Sequence, residues 1–258
     1  MSFGLVLGGG SVRGLAHIGV IKVLKRYDIP IDLIVGTSMG GAIGGLVSAG
    51  IEIEEIEQFV LGLPTIQNVE FGYGSRSILG GNKIYTSLLQ FLEEKGLSQL
   101  QIENTKIPFK TVAVDLISGE EVIFDHGDLG IALRATTAVP GVFAPVDYDG
   151  SLMVDGGLLN NLPIDIAKAA GIQHVLAVNV AREHQLKELD SMLDVLQRSI
   201  NVLLYDNTRR RLPLADIILK PEDGQYNGFD LKKIQACIKA GEKEAEMKIN
   251  NIVALTEM

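Results

Sequence analysis

The stretch DLIVGTSMGGAIGGL, residues 32–46, joins a short apolar run to a glycine-flanked serine and then to a series of small residues. Ile31 to Val35 has the length and apolar character of a buried strand, and Gly36 to Gly50 holds a turn and a helix. Gly36-Thr37-Ser38-Met39-Gly40 matches G-x-S-x-G at the strand-to-helix junction where a nucleophile elbow is built. The serine of such an elbow sits on a strained turn, and glycines at Gly36 and Gly40 let strand and helix close around it. The helix N-terminus behind Ser38 favours negative charge developing there. A loop serine between two glycines also fits the pattern taken alone; the strand-turn-helix context favours the nucleophile. The same region carries 19 uncharged residues from Leu33 to Ile51, about the length of a membrane span. Six glycines interrupt it, so strand, turn and small-residue helix is the better division.

Upstream, Phe3 to Leu7 is a compact apolar run, a buried strand by its pattern, and Leu15 to Tyr27 carries apolar residues at helical spacing until Pro30 stops it. Between them lies GGGSVRG, from Gly8 to Gly14. Consecutive glycines let backbone N–H groups point into one concavity suited to an oxyanion or a phosphate. A tight turn for strand–helix packing fits the same residues. The spacing is not that of a dinucleotide fingerprint, whose final glycine would fall on Arg13, and no G-K-[ST] follows to make a P-loop. Ser38 and the glycine loop are expected at the carboxyl edge of neighbouring parallel strands, where open α/β sheets bind ligands.

Downstream, Glu52 to Gly62 patterns as an amphipathic helix with a solvated acidic face, Pro64 to Gly81 as a long loop or lid, and Asn82 to Lys95 as a helix closed by Gly96. Strands are expected at Phe109 to Asp115, Glu121 to Phe124, Leu152 to Asp155, His174 to Val180 and Asp216 to Lys220. Asp128 is placed to cap a helix running to about Thr137. Further helices are expected at Ile164 to Ala170 behind Pro163, at Lys187 to Arg211 and at Asp230 to Ile252. Alternating strands and helices, several strands apolar throughout, predict an α/β fold with a mostly parallel central sheet covered on both faces. One domain over residues 1–258 is expected, with the motif-bearing core at about 3–180 and a C-terminal strand and helices over 187–252.

Asp155-Gly156-Gly157 follows a short apolar strand, and its carboxylate is a candidate to take the Ser38 proton. An ordinary aspartate at a glycine turn fits the same residues. The histidines give no partner with a motif around it: His17 lies within a helix, His174 starts a strand, and His126 and His184 have surface-loop surroundings. A serine this early, with no motif-bearing histidine after it, suits a Ser-Asp dyad better than the late Ser-Asp-His order of α/β-hydrolases. Arg209-Arg210-Arg211 reads as a solvated helix end, and Cys237, on an apolar stripe with Ile234 and Ile238, as a core residue.

Bulk properties narrow the setting. The formal charge of -9 argues against a nucleic-acid partner or general attraction to anionic lipid. With Cys237 the sole cysteine, no intrachain disulfide or cysteine zinc site can form, and no other metal cluster or cofactor motif appears. The opening MSFGLVLGGG lacks a basic n-region and a cleavage site, so a cytoplasmic protein without a cofactor is expected.

Taken together, LVLGGGSVRGLAHIGVIKVL, DLIVGTSMGGAIGGL and LRATTAVPGVFAPV followed by VDGGLLNNLPI resemble the patatin-like phospholipase family, over residues 5 to about 170. The resemblance implies a three-layer α/β/α fold, Ser38 as nucleophile, Asp155 as its dyad partner, and an oxyanion hole from the backbone of Gly9, Gly10 and Ser11 with Arg13 beside it. Leu133 to Pro145 is similar to the segment that lines the site in the family, with threonines where serines are frequent. The family's third glycine of the G-G-G-x-R-G pattern aligns with Ser11. The implied activity is hydrolysis of lipid carboxylic esters through an acyl-Ser38 intermediate, with peripheral membrane contact by apolar insertion. An acyltransferase using the same dyad and a non-catalytic lipid-binding regulatory module remain as alternatives.

Overall fold

The computed structural model describes residues 2–63, 71–74, 77–79, 82–181, 192–222 and 233–257. In chain order the elements are β1 (Phe3–Leu7), α1 (Ala16–Arg26), β2 (Leu33–Thr37), α2 (Met39–Ser48), α3 (Ile53–Gly62), β3 (Phe71–Gly74), β4 (Ser77–Leu79) and α4 (Asn82–Glu94). There follow β5 (Phe109–Asp115), β6 (Glu121–Phe124), α5 (Leu129–Thr136), β7 (Val146–Tyr148), β8 (Ser151–Asp155), α6 (Gly157–Asn160) and α7 (Ile164–Ala169). The chain closes with β9 (His174–Val178), α8 (Met192–Arg211), β10 (Ile217–Leu219) and α9 (Ile234–Thr256).

The central sheet runs β10-β9-β1-β2-β5-β8-β7. The first five strands pair in parallel, while β8, β7 and β6 are antiparallel to their neighbours. Strand side chains alternate between two apolar layers, because successive Cβ atoms leave opposite faces. Leu5, Leu7, Ile34, Phe109 and Leu176 pack among residues of α1, α2, α5 and α9 on one face. Val6, Leu33, Val35, Val112 and Ala177 pack against Ile164, Ile166 and Ala167 of α7 on the other. Burial on both faces is why these strands are apolar throughout and the sheet is mostly parallel.

The register around β5 builds the site. β2 flanks the first half of β5, with Gly36 opposite Thr111 and Thr37 opposite Val112. β8 flanks the second half, with Asp155 opposite Ala113 and Val154 opposite Val114. β6 pairs with residues 111–114 of β5, which already have β2 or β8 on one side, so it occupies the remaining side. Two strands running in opposite directions along one side of β5 therefore meet carboxyl end to carboxyl end, and Thr37 and Asp155 stand opposite consecutive residues. This arrangement needs an antiparallel strand at that place.

Several boundaries differ from the sequence expectation for identifiable reasons. Strand β2 starts two residues late, because Asp32 turns its carboxylate to the Phe3 N–H at 2.7 Å, and it continues through Thr37, concentrating the turn at Ser38. Within the expected 64–81 loop, β3 and β4 form an antiparallel hairpin; the rest of that stretch lies outside the described residues. The expected starts of the last two long helices, at Lys187 and Asp230, also lie outside them. Strand β7 was not anticipated. It joins β8 through Asp149 (φ 48°) and Gly150 (φ 77°), the paired positive φ values of a two-residue hairpin turn. The Asp128 cap is present, its carboxylate accepting the Ile131 N–H at 2.8 Å, and Gly96 takes a φ of +70° just beyond α4.

The last helix is fixed by close approach. A Cβ on Gly19 of α1 would lie 1.9 Å from the Ile238 carbonyl oxygen, and one on Gly241 of α9 would lie 1.9 Å from that of Ala16. Two glycines facing each other's backbones bring α1 and α9 together over the sheet.

Candidate active site

Ser38 ends the strand–turn junction with φ 56° and ψ -125°, outside the regions a side-chain-bearing residue prefers. The neighbouring glycines are sterically required. A Cβ on Gly36 would come within 2.5 Å of the Gly40 carbonyl oxygen, and one on Gly40 within 2.2 Å of that of Leu7. The strain is held by hydrogen bonds: the Ser38 N–H donates to the Thr136 hydroxyl oxygen at 2.9 Å, and the Thr111 hydroxyl donates to the Gly36 carbonyl at 2.8 Å. Ser38 is 8% exposed.

Asp155 arrives at the end of β8, and its carboxylate accepts from the Gly157 N–H at 2.8 Å. Burial raises its pKa to about 6, and hydrogen bonding by the Ser38 side chain and the Gly157 N–H pulls the other way without cancelling it. Gly156 is needed where the chain leaves β8, since a Cβ there would lie 2.3 Å from the Val112 carbonyl oxygen. The Asp155 N–H donates to the Ala138 carbonyl at 3.0 Å. One segment, Thr136 to Ala138, thus anchors the main chain of both the serine and the aspartate. It lies inside the 133–145 stretch singled out by resemblance.

The glycine loop leaves β1 beside Ser38, where a Cβ on Gly9 would meet the Ser38 Cβ at 3.1 Å. Its amides divide into two groups. Gly8 donates to the Val178 carbonyl at 3.1 Å and Gly9 to that of Asn161 at 3.0 Å. Among the described residues the Gly10 and Ser11 amides make no backbone hydrogen bond. Of the three residues that the resemblance assigns to the oxyanion hole, Gly9 thus has its N–H engaged by Asn161. Ser11 adopts φ 51°, a left-handed conformation that favours the glycine aligned there in the family pattern. Gly14 lets the loop pack on α2, a Cβ there coming within 2.6 Å of the Met39 side chain. Arg13 follows in the same turn and is half-buried.

His17 is fully buried, and its Nε2 donates to the Gly8 carbonyl at 2.7 Å. Burial depresses its pKa to about 4, so it is a neutral ring supporting the loop. His126 is exposed, His174 begins β9, and His184 lies outside the described residues. No histidine among the described residues bonds to Ser38 or Asp155.

Sequence reasoning did not single out Thr37, Thr136, Asn161, Asn207 or Thr208. The Thr37 hydroxyl donates to the Asn160 carbonyl at 2.8 Å. From α8, the Asn207 carboxamide donates to the carbonyls of Gly157 at 3.1 Å and Leu158 at 3.3 Å. Nothing in the α8 sequence distinguishes these two polar residues from a solvated face. Arg211 also departs from the expected solvated end: its Nε meets the Asp165 carboxylate at 3.0 Å, whereas Arg209 and Arg210 are exposed and pair with Asp206. Cys237 is buried in the core, as its apolar stripe suggests. Two surface cavities, of about 550 and 470 Å³, lie between α3 and α4 and beneath α1, and Ser38 lines neither.

A serine on a left-handed elbow after a parallel strand, with a buried aspartate ending an antiparallel strand on the same side of β5, is a different strand plan from that of α/β-hydrolases. The chain belongs to the patatin-like phospholipase family, whose model matches residues 5–168. It is 36% identical over 180 residues to an uncharacterized NTE family protein of Mycobacterium tuberculosis, covering 69% of this chain and 48% of that protein. It is 32% identical over 189 residues to patatin-like phospholipase domain-containing protein 6 of Homo sapiens, covering 70% of this chain and 13% of that one. The chain thus spans half or less of the length of these curated relatives. Among solved structures, VipD from Legionella pneumophila superposes with a TM-score of 0.59 at 12% identity, over 97% of this chain and 67% of VipD. The type III effector protein ExoU superposes with a TM-score of 0.52 at 12% identity, over 97% of this chain and 53% of ExoU. Both share the patatin-like α/β fold, with helices on both sides of a mostly parallel sheet.

Proposed function

We propose that this protein hydrolyses carboxylic esters of lipids through an acyl-Ser38 intermediate, with Asp155 as its general base. The observation that carries the reading is the end-to-end meeting of β2 and β8 along β5, which brings Ser38 to a buried carboxylate whose pKa is raised to about 6. A base of that pKa is ionised at neutral pH and still accepts a proton readily. Asp155 takes the Ser38 proton as Oγ attacks the ester carbonyl, and returns it to the departing alcohol. It then deprotonates the water that releases the fatty acid and regenerates Ser38. The Gly10 and Ser11 amides, with the N-terminus of α2, are the proposed donors to the tetrahedral oxyanion. Removing one such donor typically costs about 10²–10³ in rate.

Membership of the patatin-like phospholipase family supports a lipid substrate. Leu159 of α6 and Val202 and Leu203 of α8 are exposed apolar side chains that support peripheral contact with a lipid aggregate. None of the described helices is long and apolar enough to cross a membrane. A cytoplasmic location is part of the proposal, supported by Cys237 as a lone buried thiol.

Incubation with phosphatidylcholine and lysophosphatidylcholine vesicles, followed by mass spectrometry of products, tests the reading. Release of free fatty acid by wild type, absent in Ser38→Ala and in Asp155→Asn, is expected. Retention of wild-type release by either variant would refute the assignment.

A further inference from the structure

We propose that Asn161 is a positioning residue of the oxyanion-binding loop, held in place by Asn207 and Thr208 of α8. The inference rests on the hydrolase reading and deepens it.

The argument starts from peptide planarity. In a trans peptide the carbonyl oxygen of one residue and the N–H of the next point in opposite directions on one rigid plane. Whatever holds the Gly9 carbonyl therefore aims the Gly10 N–H, and whatever holds the Gly10 carbonyl aims the Ser11 N–H. The second plane is fixed locally, since the Gly10 carbonyl accepts from the Arg13 N–H at 3.1 Å as the chain enters its first helical turn. The first plane is not. It lies between two glycines, the residues least able to resist rotation of a peptide. Its carbonyl is held by the Asn161 carboxamide, whose Nδ2 donates to it at 3.2 Å. The Asn161 carbonyl also takes the Gly9 N–H at 3.0 Å, so one residue grips both ends of Gly9.

The carboxamide is itself oriented. Its Nδ2 also donates to the Thr208 hydroxyl oxygen at 3.4 Å. The Thr208 hydroxyl donates to the Leu204 carbonyl at 2.7 Å, which turns its lone pairs toward Asn161. The Asn161 N–H donates to the Asn207 Oδ1 at 3.4 Å. Asn161 is 3% exposed and Thr208 1%, so water does not replace these partners. The α8 helix, outside the matched family region, thereby reaches the loop beside Ser38. Thr37 and Thr136 support the nucleophile, whereas the Asn161 carboxamide bonds to the donor loop.

The test is steady-state hydrolysis of p-nitrophenyl butyrate by wild type, Asn161→Ala, Thr208→Val and Thr208→Ser, with thermal melts as the check of folding. Misdirecting one donor predicts that Asn161→Ala loses about 10-fold or more in kcat, with KM within about threefold. The acidic limb of its pH profile, which reports Asp155, should stay where it is in wild type. Thr208→Val should lose a few-fold in kcat and Thr208→Ser should restore it. A folded Asn161→Ala with wild-type kcat, or one that changes only KM, overturns the proposal. Should Asn161→Ala fail to fold, the threonine pair decides: equal kcat in Thr208→Val and Thr208→Ser overturns it. A wild type without esterase turnover instead overturns the hydrolase reading, and this inference with it.

Discussion

The Ser38 main-chain N–H is held by the Thr136 hydroxyl oxygen at 2.9 Å, across the junction between β2 and the end of α5. Both residues are buried, so water is not available as a substitute acceptor. Thr136→Val preserves shape and removes the acceptor; leaving a buried amide unsatisfied costs about 1–3 kcal/mol. Chemical denaturation should show that loss, accompanied by a fall in kcat as the left-handed Ser38 relaxes. Thr136→Ser, which keeps the oxygen, should recover most of both. Equal behaviour of the two variants would remove Thr136 from the account.

The raised pKa of Asp155 makes two linked pH predictions. Only the carboxylate accepts the Ser38 proton, so kcat/KM should rise about tenfold per pH unit below about pH 6 and level off above it. For stability, the folded protein holds the Asp155 proton more tightly than the unfolded chain. That contribution is fully present below the ordinary value of 3.8 and lost as pH rises through about 6. A shift of this size corresponds to about 3 kcal/mol. Asp155→Asn should therefore be inactive yet more stable than wild type at pH 7, the gap closing as pH falls below 6. An Asp155→Asn protein less stable than wild type at pH 7 would contradict the burial argument.

Ser11 carries a side chain at φ 51°, at a conformational cost that glycine escapes. Ser11→Gly should raise stability by up to about 1 kcal/mol, the strain relieved being partly offset by the greater entropy of an unfolded glycine. Turnover should stay within a few-fold of wild type, because the proposed donor is the backbone N–H. A destabilised Ser11→Gly protein would show that the hydroxyl holds the loop.

The α1–α9 contact gives a prediction remote from the site. A Cβ on Gly241 would fall 1.9 Å from the Ala16 carbonyl oxygen, with no flexible side chain to give way. Gly241→Ala should force the helices apart and lower stability by about 1–3 kcal/mol, read as an earlier denaturation midpoint. An unchanged midpoint would mean that α9 slides freely on α1.

Much of this architecture was legible because its strands are short apolar runs between glycines. β1, β5 and β6 have the boundaries expected from sequence, and Asp128 caps α5 where its position required. The β7–β8 hairpin was missed although Asp149-Gly150 is a recognisable two-residue turn signal, because Val146 to Tyr148 is too short to display a period. Without that hairpin the approach of Asp155 to Ser38 cannot be deduced, since it depends on β8 running against β5. The division of the glycine-loop amides was equally hidden. Gly9 differs from Gly10 and Ser11 because its N–H meets the carbonyl of Asn161, a residue 152 positions away in sequence. Asn207 and Thr208 look like any polar pair on a helix until α8 is docked on the turn after Asp155.

The central claim is that Ser38 is an activated nucleophile with Asp155 as its base. Intact-mass analysis after treatment with a fluorophosphonate tests it most directly, on wild type, Ser38→Ala and Asp155→Asn. The account predicts a single adduct on wild type, none on Ser38→Ala, and labelling of Asp155→Asn slowed by orders of magnitude. An adduct that persists in folded Ser38→Ala, or labelling of Asp155→Asn at the wild-type rate, would contradict it.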